Sequence, residues 1–254
     1  MDHQGTTAVV TGAGGGIGAA LARSFAARGA HVAVNDLDAD RARAVAAEIG
    51  GTALPGDASD VVPAALDALG RVDVFCANAG IAPTGGPETE DAVWEAAWDV
   101  NTMAHVRAAR ALLPHWLDRG RGRFVSTVSA AGLLTMVGSA PYSVSKHAAL
   151  AFAEWLSVTY RHRGIAVHAV CPQGVRTDML RRSGGAGALV LAPHAIEPEE
   201  VAEAVHTAID EERFLVLPHP EVARYARARA GDPDRWLLGM NQLQQKLETA
   251  QEEQ

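Results

Sequence analysis

The strongest constraint on the fold is a regular alternation of short β-branched runs with alanine-rich stretches of helical length. This alternation is typical of βαβ units, whose right-handed crossovers build a parallel sheet with helices on both faces. Candidate strands lie near residues 6–11, 31–36, 52–55, 72–77, 122–128, 165–171 and 213–217. Candidate helices lie near residues 17–29, 39–49, 59–69, 89–118, 141–163 and 197–211. We therefore predict an α/β fold of Rossmann type, with a doubly wound parallel sheet of seven strands.

The chain is predicted to be one domain over residues 1–254. It is 48% hydrophobic and 20% charged, which is ordinary for a globular protein of this size. No internal repeat or low-complexity linker divides it. One glycine-rich segment, residues 173–196, does not fit the alternation, and segments of this length are often functional. It is interpreted either as a mobile lid over a site or as a long surface loop.

Two further helices, near residues 221–230 and 234–250, are predicted after the last strand, so residues 218–254 form a helical C-terminal extension. Spacings of four, three and four residues place part of the second helix on one apolar stripe. The stripe consists of Trp236, Met240, Leu243 and Leu247. It packs either on its own domain or on a neighbouring subunit, and the sequence leaves both readings open.

Charge and composition exclude several classes of partner. A formal net charge of −8 disfavours binding to phosphate backbones, so we expect no nucleic-acid partner. The basic run at residues 119–123 is interpreted as a solvated turn before a strand. No apolar run reaches the roughly 18 residues that cross a bilayer. The ten histidines show no metal-ligand spacing, so we expect no metal.

The cellular compartment is predicted from the first residues and the cysteines. The start of the chain is polar and lacks the basic and apolar regions of a signal peptide, so we expect a cytoplasmic protein. Cys76 and Cys171 each follow an apolar, strand-like run, which favours two buried thiols over a disulfide.

A glycine-rich loop joins the first strand to the first helix. The segment Gly12-Ala13-Gly14-Gly15-Gly16-Ile17-Gly18 follows Ala8-Val9-Val10-Thr11 directly. Glycines at such a place let backbone N–H groups approach a pyrophosphate at the helix N-terminus. The second strand ends at Asp36, 18 residues beyond Gly18, where a carboxylate can accept hydrogen bonds from a ribose diol. This unit predicts a dinucleotide site.

Tyr142 and Lys146 lie four residues apart near the start of an apolar helix, so both can point into one cleft. A free phenol has a pKa of about 10 and is a poor base at neutral pH. A nearby cation that lowers this pKa by about 3 units must supply about 4 kcal/mol, which is within reach in a partly dry site. Alone, such a pair is more often found on a surface.

Several further residues, in the right order, resemble the short-chain dehydrogenase/reductase family in its compact single-domain branch, over Thr6 to about residue 217. The glycine loop matches that family's cofactor motif at Thr11, Gly12, Gly16 and Gly18. Other matches are Asp57 with Ala58, the strand-end residues Asn78, Ala79 and Gly80, then Asn101, Ser129 and the segment Pro172, Gly174, Val175 and Thr177. Gly14, Ile17 and Leu37 are added as neighbouring cofactor-binding candidates.

The resemblance implies a catalytic set of Asn101, Ser129, Tyr142 and Lys146. Tyr142 would be the general acid/base, and Lys146 would lower its pKa and hold the nicotinamide ribose. Ser129 would hydrogen-bond the reacting oxygen. Asn101 would position a helix kink and a water. The chain departs from the family at Ala77, which replaces an asparagine, and at the spacing Pro172-Gln173-Gly174; neither departure removes a catalytic group.

The resemblance implies an oxidoreductase that transfers a hydride between NAD(H) and a secondary alcohol or ketone, with NADP disfavoured by Asp36. The candidate substrate pocket is mostly apolar and comprises Ser129, Ala130, Leu133, Leu134, Met136, Tyr142, Gln173, Met179 and Leu180, with Ile81 nearby. Alternatives are a 3-oxoacyl-thioester or steroid-type reductase and, remotely, a non-catalytic dinucleotide-binding regulator. Relatives commonly form tetramers, so we expect a homotetramer or homodimer.

Overall fold

The computed structural model describes residues 3–182 and 191–252. Within them, seven strands form one sheet in which all neighbouring strands are parallel. The strands are β1 (Thr7–Val10), β2 (His31–Asp36), β3 (Thr52–Pro55), β4 (Val74–Ala77), β5 (Gly122–Thr127), β6 (Ile165–Val170) and β7 (Leu215–Val216). The predicted Rossmann-type α/β fold is confirmed.

Helices connect these strands. They are α1 (Gly16–Ala27), α2 (Ala39–Ile49), α3 (Val61–Leu69), α4 (Asp91–Trp98), α5 (Ala104–Arg119), α6 (Ala131–Leu134), α7 (Ala140–Tyr160), α8 (Asp178–Arg182), α9 (Pro198–Asp210), α10 (Pro220–Gly231) and α11 (Pro233–Glu252). Short 3₁₀ turns lie at Arg161–Arg163 and Ala192–His194. None of the helices in the described ranges is both long and apolar enough to span a membrane.

The strand order is β3-β2-β1-β4-β5-β6-β7, so the direction of winding reverses between β1 and β4. In open parallel sheets, the crevice at the carboxyl ends of the strands beside such a reversal is where ligands bind. The glycine loop follows β1 and the segment Asn78-Ala79-Gly80 follows β4. The topology therefore brings these two segments to the same crevice.

Apolar side chains fill both faces of the sheet. On one face, α1 and α9 bury Phe25 and Val205 against the strands. On the other face, α5 and α7 bury Trp116 and Leu156. Strands covered on both faces read as continuous apolar runs, which is why their positions are readable from the sequence. Both cysteines are free and buried, as predicted.

Two segments differ from the sequence prediction. The single helix predicted over 89–118 is interrupted by a π-helical turn at Asp99–Met103 between α4 and α5. The last strand, predicted over 213–217, is only Leu215–Val216, because it lies at the sheet edge and pairs with β6 alone. The predicted glycine-rich lid or loop at 173–196 falls partly outside the described residues, since 183–190 are not among them.

Candidate active site

One large cavity lies at the carboxyl ends of the strands. It has a volume of about 920 Å³, which is at the upper end of the range for small-molecule sites. It extends from the glycine loop to the C-terminal helices. Its lining includes the predicted cofactor residues Gly12, Gly16, Ile17, Asp36, Leu37, Asp57, Ala58, Asn78, Ala79, Gly80, Tyr142, Lys146, Pro172, Gly174, Val175 and Thr177. It also includes the predicted substrate residues Ser129, Ala130, Leu134, Met136, Gln173, Met179 and Leu180, together with Ile81.

At Gly12 and Gly18, the glycine loop packs too closely against its neighbours to accept a side chain. Gly12 has φ of +61°, and a Cβ there would lie 2.9 Å from the Cα of Ala79. A Cβ on Gly18 would overlap the carbonyl oxygen of Gly12 and lie 2.6 Å from Nδ2 of Asn78. Gly18 does not line the cavity. Its lack of a side chain allows α1 to start directly against β1 and β4.

The first turn of α1 leaves its N–H groups available. Its N-cap residue, Gly15, has no side chain that could cap these groups, and the first turn contains no acidic side chain. A helix N-terminus of this kind, with its positive dipole end at the cavity, suits a pyrophosphate. The residues present thus fit a nicotinamide dinucleotide, with the glycine loop holding the diphosphate.

Thr11 supports the crevice from beneath without lining it. Its hydroxyl accepts hydrogen bonds from the N–H groups of Asn78, at 2.9 Å, and Ala79, at 3.0 Å. The same hydroxyl donates to the carbonyl of Cys76 at 3.3 Å. These bonds join the end of β1 to the end of β4, so Thr11 holds the two sides of the crevice together.

Asp36 lies where β2 ends at the cavity. Its Oδ2 accepts a hydrogen bond from Gly14 N–H at 2.9 Å, and its Oδ1 accepts one from Asp38 N–H at 3.0 Å. Arg41 also lines the cavity here, although it belongs to α2, and pairs with Asp38 at 3.4 Å and Asp178 at 3.8 Å. The carboxylate is therefore fixed beside the glycine loop, and Arg41 next to it is paired with two other acidic side chains.

Tyr142 and Ser129 meet in the cavity near the ends of β5 and β6. Both side chains line the cavity, and Ser129 Oγ accepts from Ala131 N–H at 3.0 Å. Burial raises the pKa of Tyr142, while the neighbouring Ser129 hydroxyl opposes that rise. The phenol is therefore protonated at neutral pH, in contrast to the lowered pKa expected from Lys146.

Lys146 is buried next to Tyr142. Its Nζ donates to the carbonyl of Thr127 at 2.9 Å and lies 5.8 Å from the centroid of the Tyr142 ring. Burial lowers the Lys146 pKa to about 8, because a charged ammonium is costly away from water. The ammonium is held by a strand-end carbonyl rather than by the phenol, and it remains largely protonated at neutral pH.

Asn101 does not line the cavity, but its side chain fixes a neighbour that does. It lies in the π-helical turn, fully buried. Its Oδ1 accepts from Ile81 N–H at 3.0 Å, and its Nδ2 donates to the carbonyl of Ile81 at 2.9 Å and to Ser145 Oγ at 3.0 Å. The predicted helix kink is this turn, which ties α7 to the segment after β4.

Sequence reasoning missed the contribution of His219, which precedes α10. Its Nδ1 accepts from Gln173 N–H at 3.1 Å, so the proton is on Nε2, which donates to the carbonyl of Gly174 at 3.1 Å. This buried ring holds the segment in which the chain departs from its family's usual spacing. A single histidine just before a proline gave no signal of such a role.

The cavity wall on the substrate side also differs from the prediction. Leu133 does not line the cavity; it packs against the cluster formed by Ala130, Leu134 and Val222. Residues of the C-terminal helices line it instead. They include Tyr225 of α10 and three members of the predicted apolar stripe, Trp236, Met240 and Leu243. Trp236, Met240 and Leu243 therefore face a cavity of their own chain. No group of three or more potential metal ligands occurs in the described parts of the chain.

Comparison with known proteins gives concordant results. The short chain dehydrogenase family profile matches residues 6–186. A 1-deoxy-11-beta-hydroxypentalenate dehydrogenase from Streptomyces exfoliatus is 36% identical, with 91% of this chain and 88% of that protein covered. A 2-(R)-hydroxypropyl-CoM dehydrogenase from Xanthobacter autotrophicus is 34% identical over 68% of this chain and 75% of its own length.

Among solved structures, a short chain dehydrogenase/reductase from Burkholderia phymatum in complex with NAD superposes with a TM-score of 0.83 at 27% identity. The match covers 92% of this chain and 96% of that one. The profile match spans more than half of the chain, and the sheet order and glycine loop agree with it. The protein is therefore an oxidoreductase of the short-chain dehydrogenase/reductase family.

Proposed function

We propose that the protein is an NAD-dependent dehydrogenase that interconverts a secondary alcohol and a ketone. The observation that carries this proposal is that Tyr142, Ser129 and Lys146 line the same cavity as the glycine loop. Two hydroxyl groups that converge on one point can both bind the oxygen of an alcohol or a carbonyl. A site that only senses a dinucleotide does not need this arrangement.

Each residue of the set has a distinct task in this proposal. A bound nicotinamide supplies hydride transfer to or from the substrate carbon. Tyr142 gives a proton to the carbonyl oxygen in reduction and takes one from the hydroxyl in oxidation. Ser129 donates a hydrogen bond to the same oxygen and stabilises the negative charge that develops there. Lys146 places a positive charge near the phenol, and Asn101 keeps the π-helical turn and Ile81 in place.

The protonation state of Tyr142 sets the pH preference of each direction. Since burial raises its pKa, the phenol carries its proton at neutral pH, which suits reduction of a ketone. Oxidation of an alcohol needs the phenolate, so its rate should increase toward alkaline pH. An assay of oxidation is therefore best run near pH 9.

We propose NAD as the cofactor because Asp36 holds a carboxylate at the adenosine end of the cavity. A carboxylate accepts hydrogen bonds from a ribose diol and repels a 2′-phosphate. The complex of the Burkholderia phymatum relative contains NAD, which supports the same choice. The proposed holders of the cofactor are the lining residues named above, with the diphosphate at the glycine loop.

Two curated relatives are named as dehydrogenases of hydroxy compounds, which favours an alcohol substrate. A 3-oxoacyl-thioester reductase or a steroid-type dehydrogenase would use the same set of side chains, because this fold accepts many substrates. We place these second, since the chemistry at Tyr142 is the same and only the remainder of the substrate differs.

A direct assay tests the proposal. The protein is incubated with NAD and a panel of secondary alcohols at pH 9, and with NADH and the corresponding ketones at pH 7, while absorbance of NADH is followed. Turnover with secondary alcohols but not with primary alcohols or 3-oxoacyl thioesters is the expected result. Absence of turnover in both directions, together with micromolar NAD binding, would favour the non-catalytic regulator.

A further inference from the structure

We propose that the part of the cavity walled by α10 and α11 is the binding subsite for the apolar body of the substrate, and that Trp236 selects ring-containing secondary alcohols over short ones. This inference rests on the proposed function for the identity of the reacting oxygen. The subsite itself is argued from the C-terminal residues that line the cavity.

The wall of this subsite carries a group of aromatic and aliphatic side chains, and Glu221, Asp232 and Arg235 also belong to its lining. Trp236 and Met240 lie one turn apart on α11, and Leu243 continues the same face. The ring of Tyr225 on α10 lies 6.1 Å from that of Trp236, at an interplanar angle of 43°. Tilted aromatic faces give a large contact area to a carbocyclic ring.

The wall is anchored to the reactive end of the cavity. His219 binds the backbone of Gln173 and Gly174 with both ring nitrogens, immediately before α10 begins. In the first turn of α10, Val222 is fully buried beside Ala130, the neighbour of Ser129. Arg229, near the end of α10, donates to the carbonyl of Leu133. The C-terminal helices therefore keep a fixed position relative to Ser129.

One continuous cavity joins Tyr142 to the C-terminal helices, and this determines the shape of substrate that it can hold. Tyr142 and Trp236 line the same space, with the apolar side chains of Leu134 and Met136 also in its lining. A substrate whose oxygen meets Tyr142 can extend its carbon skeleton along this surface to Trp236. A three-carbon alcohol would leave the C-terminal wall in contact with water, so it would gain nothing from the wall.

Binding of two ketones tests the subsite independently of turnover. Calorimetric titration of the full-length protein with decahydronaphthalen-2-one should give a Kd at least tenfold lower than with acetone. In Trp236→Ala, the Kd for the bicyclic ketone should rise at least tenfold. Leu237→Ala is the matched control, because Leu237 is the next residue on α11, is 62% exposed and does not line the cavity. Its Kd should stay within twofold of the wild-type value.

A second variant and a kinetic comparison complete the test. Met240→Ala should raise the Kd for the bicyclic ketone at least threefold, and circular dichroism checks that both variants fold. Equal Kd values for wild type, Trp236→Ala and Leu237→Ala would overturn the subsite, as would failure of the wild type to prefer the bicyclic ketone.

If binding depends on Trp236 but no secondary alcohol is oxidised, the subsite stands and the redox function is wrong. If decahydronaphthalen-2-ol is oxidised equally by all variants, the function stands and the subsite is wrong.

Discussion

The carboxylate of Asp36 accepts a hydrogen bond from the backbone N–H of Gly14 at 2.9 Å, which joins the end of β2 to the glycine loop. A Cβ on Gly14 would lie 2.8 Å from the same carboxylate oxygen. The contact is thus possible only with glycine at position 14. It holds the negative charge at one place in the cavity, where the proposed NAD site has its adenosine ribose.

We expect NAD to be preferred over NADP by at least tenfold in kcat/KM. Two like charges about 4 Å apart repel by about 4 kcal/mol at an effective dielectric of 20, and solvent screening reduces this. Even a third of that energy is about tenfold. In Asp36→Ala combined with Leu37→Arg, the preference should narrow or reverse. Steady-state kinetics with both cofactors measure it.

Leu37→Arg alone is the control for the added positive charge, and it should improve NADP use less than the double variant does. Equal or better efficiency of the wild type with NADP would contradict the role given to Asp36. In that event Arg41, which also lines the cavity, would be the side chain to replace next.

Tyr142→Phe should lower kcat by 10²–10⁴-fold, the usual size of a lost acid/base contribution. The ring is buried and Phe keeps its packing, while the phenol hydroxyl is lost. NAD affinity, measured by calorimetry, should change less than threefold. Retention of more than a tenth of wild-type turnover would show that another group transfers the proton.

The strands and long helices were predictable because most strands contain a short run of apolar, often β-branched residues and the helices between them are rich in alanine. The predicted bounds of β2 and β3 agree with the structure. The helix kink at Asn101 was expected only from the family resemblance, and spacing alone did not predict the π-helical turn at Asp99–Met103. Its cause is tertiary, since Asn101 binds both the N–H and the carbonyl of Ile81, twenty residues away. No local spacing signals that contact.

The candidate site was also predictable only in part. The motif residues around the glycine loop, Ser129 and Tyr142 do line one cavity, because the ends of parallel strands meet at one edge. The far wall was not predictable from spacing. The stripe containing Trp236 and Met240 showed that one face of α11 is apolar, but not which surface that face covers. His219 likewise acts through backbone contacts that the sequence does not display.

Substitution of two glycines of the loop gives a matched pair of variants for a measurement of stability. Gly18→Ala places a Cβ against Gly12 and Asn78, while a Cβ on Gly15 has nothing within 4 Å and the backbone there is extended. Overpacking of this kind costs about 1–3 kcal/mol. Urea denaturation without cofactor should therefore show that loss for Gly18→Ala and a change below about 0.5 kcal/mol for Gly15→Ala. Equal stability of the two variants would mean that the loop can shift to accept a side chain.

The buried histidines predict a loss of stability in mild acid. Burial lowers the pKa of His105 to about 3 and those of His168 and His206 to about 4. Between pH 6.5 and these values, the unfolded chain binds protons that the folded chain does not, so the free energy of unfolding falls as pH falls. From pH 7 to pH 5 each such histidine contributes about 2 kcal/mol at most.

His105→Asn isolates one of these contributions. Asn can keep the hydrogen bond that His105 Nδ1 makes with Ser126 Oγ at 2.9 Å, and it does not titrate. The decrease in unfolding free energy between pH 7 and pH 5 should be smaller in this variant by up to about 2 kcal/mol. Urea denaturation at both pH values measures the difference. An unchanged pH dependence would show that His105 becomes protonated without unfolding.

The last prediction concerns assembly through α7. This helix has apolar surface beyond what its own domain buries. Ala149 and Leu156 are buried in the chain's core, whereas Trp155 is 54% exposed and Val158 is 83% exposed. Trp155 stacks on Phe152 with ring centroids 6.4 Å apart, so the exposed face is preformed. Exposed aromatic faces of this kind favour association. We expect a homotetramer, with a mass by light scattering of four times the 26.6 kDa chain.

Trp155→Glu should reduce that mass, because a carboxylate in an apolar contact between subunits is costly to desolvate. The control is Leu238→Glu, which adds the same charge at a residue of α11 that is 66% exposed, and which should keep the tetramer mass. Both variants should retain the wild-type circular dichroism spectrum, since neither side chain lies in the core. A wild-type mass near that of a single chain at micromolar concentration would refute the assembly. A tetramer that survives Trp155→Glu unchanged would move the interface away from this face of α7.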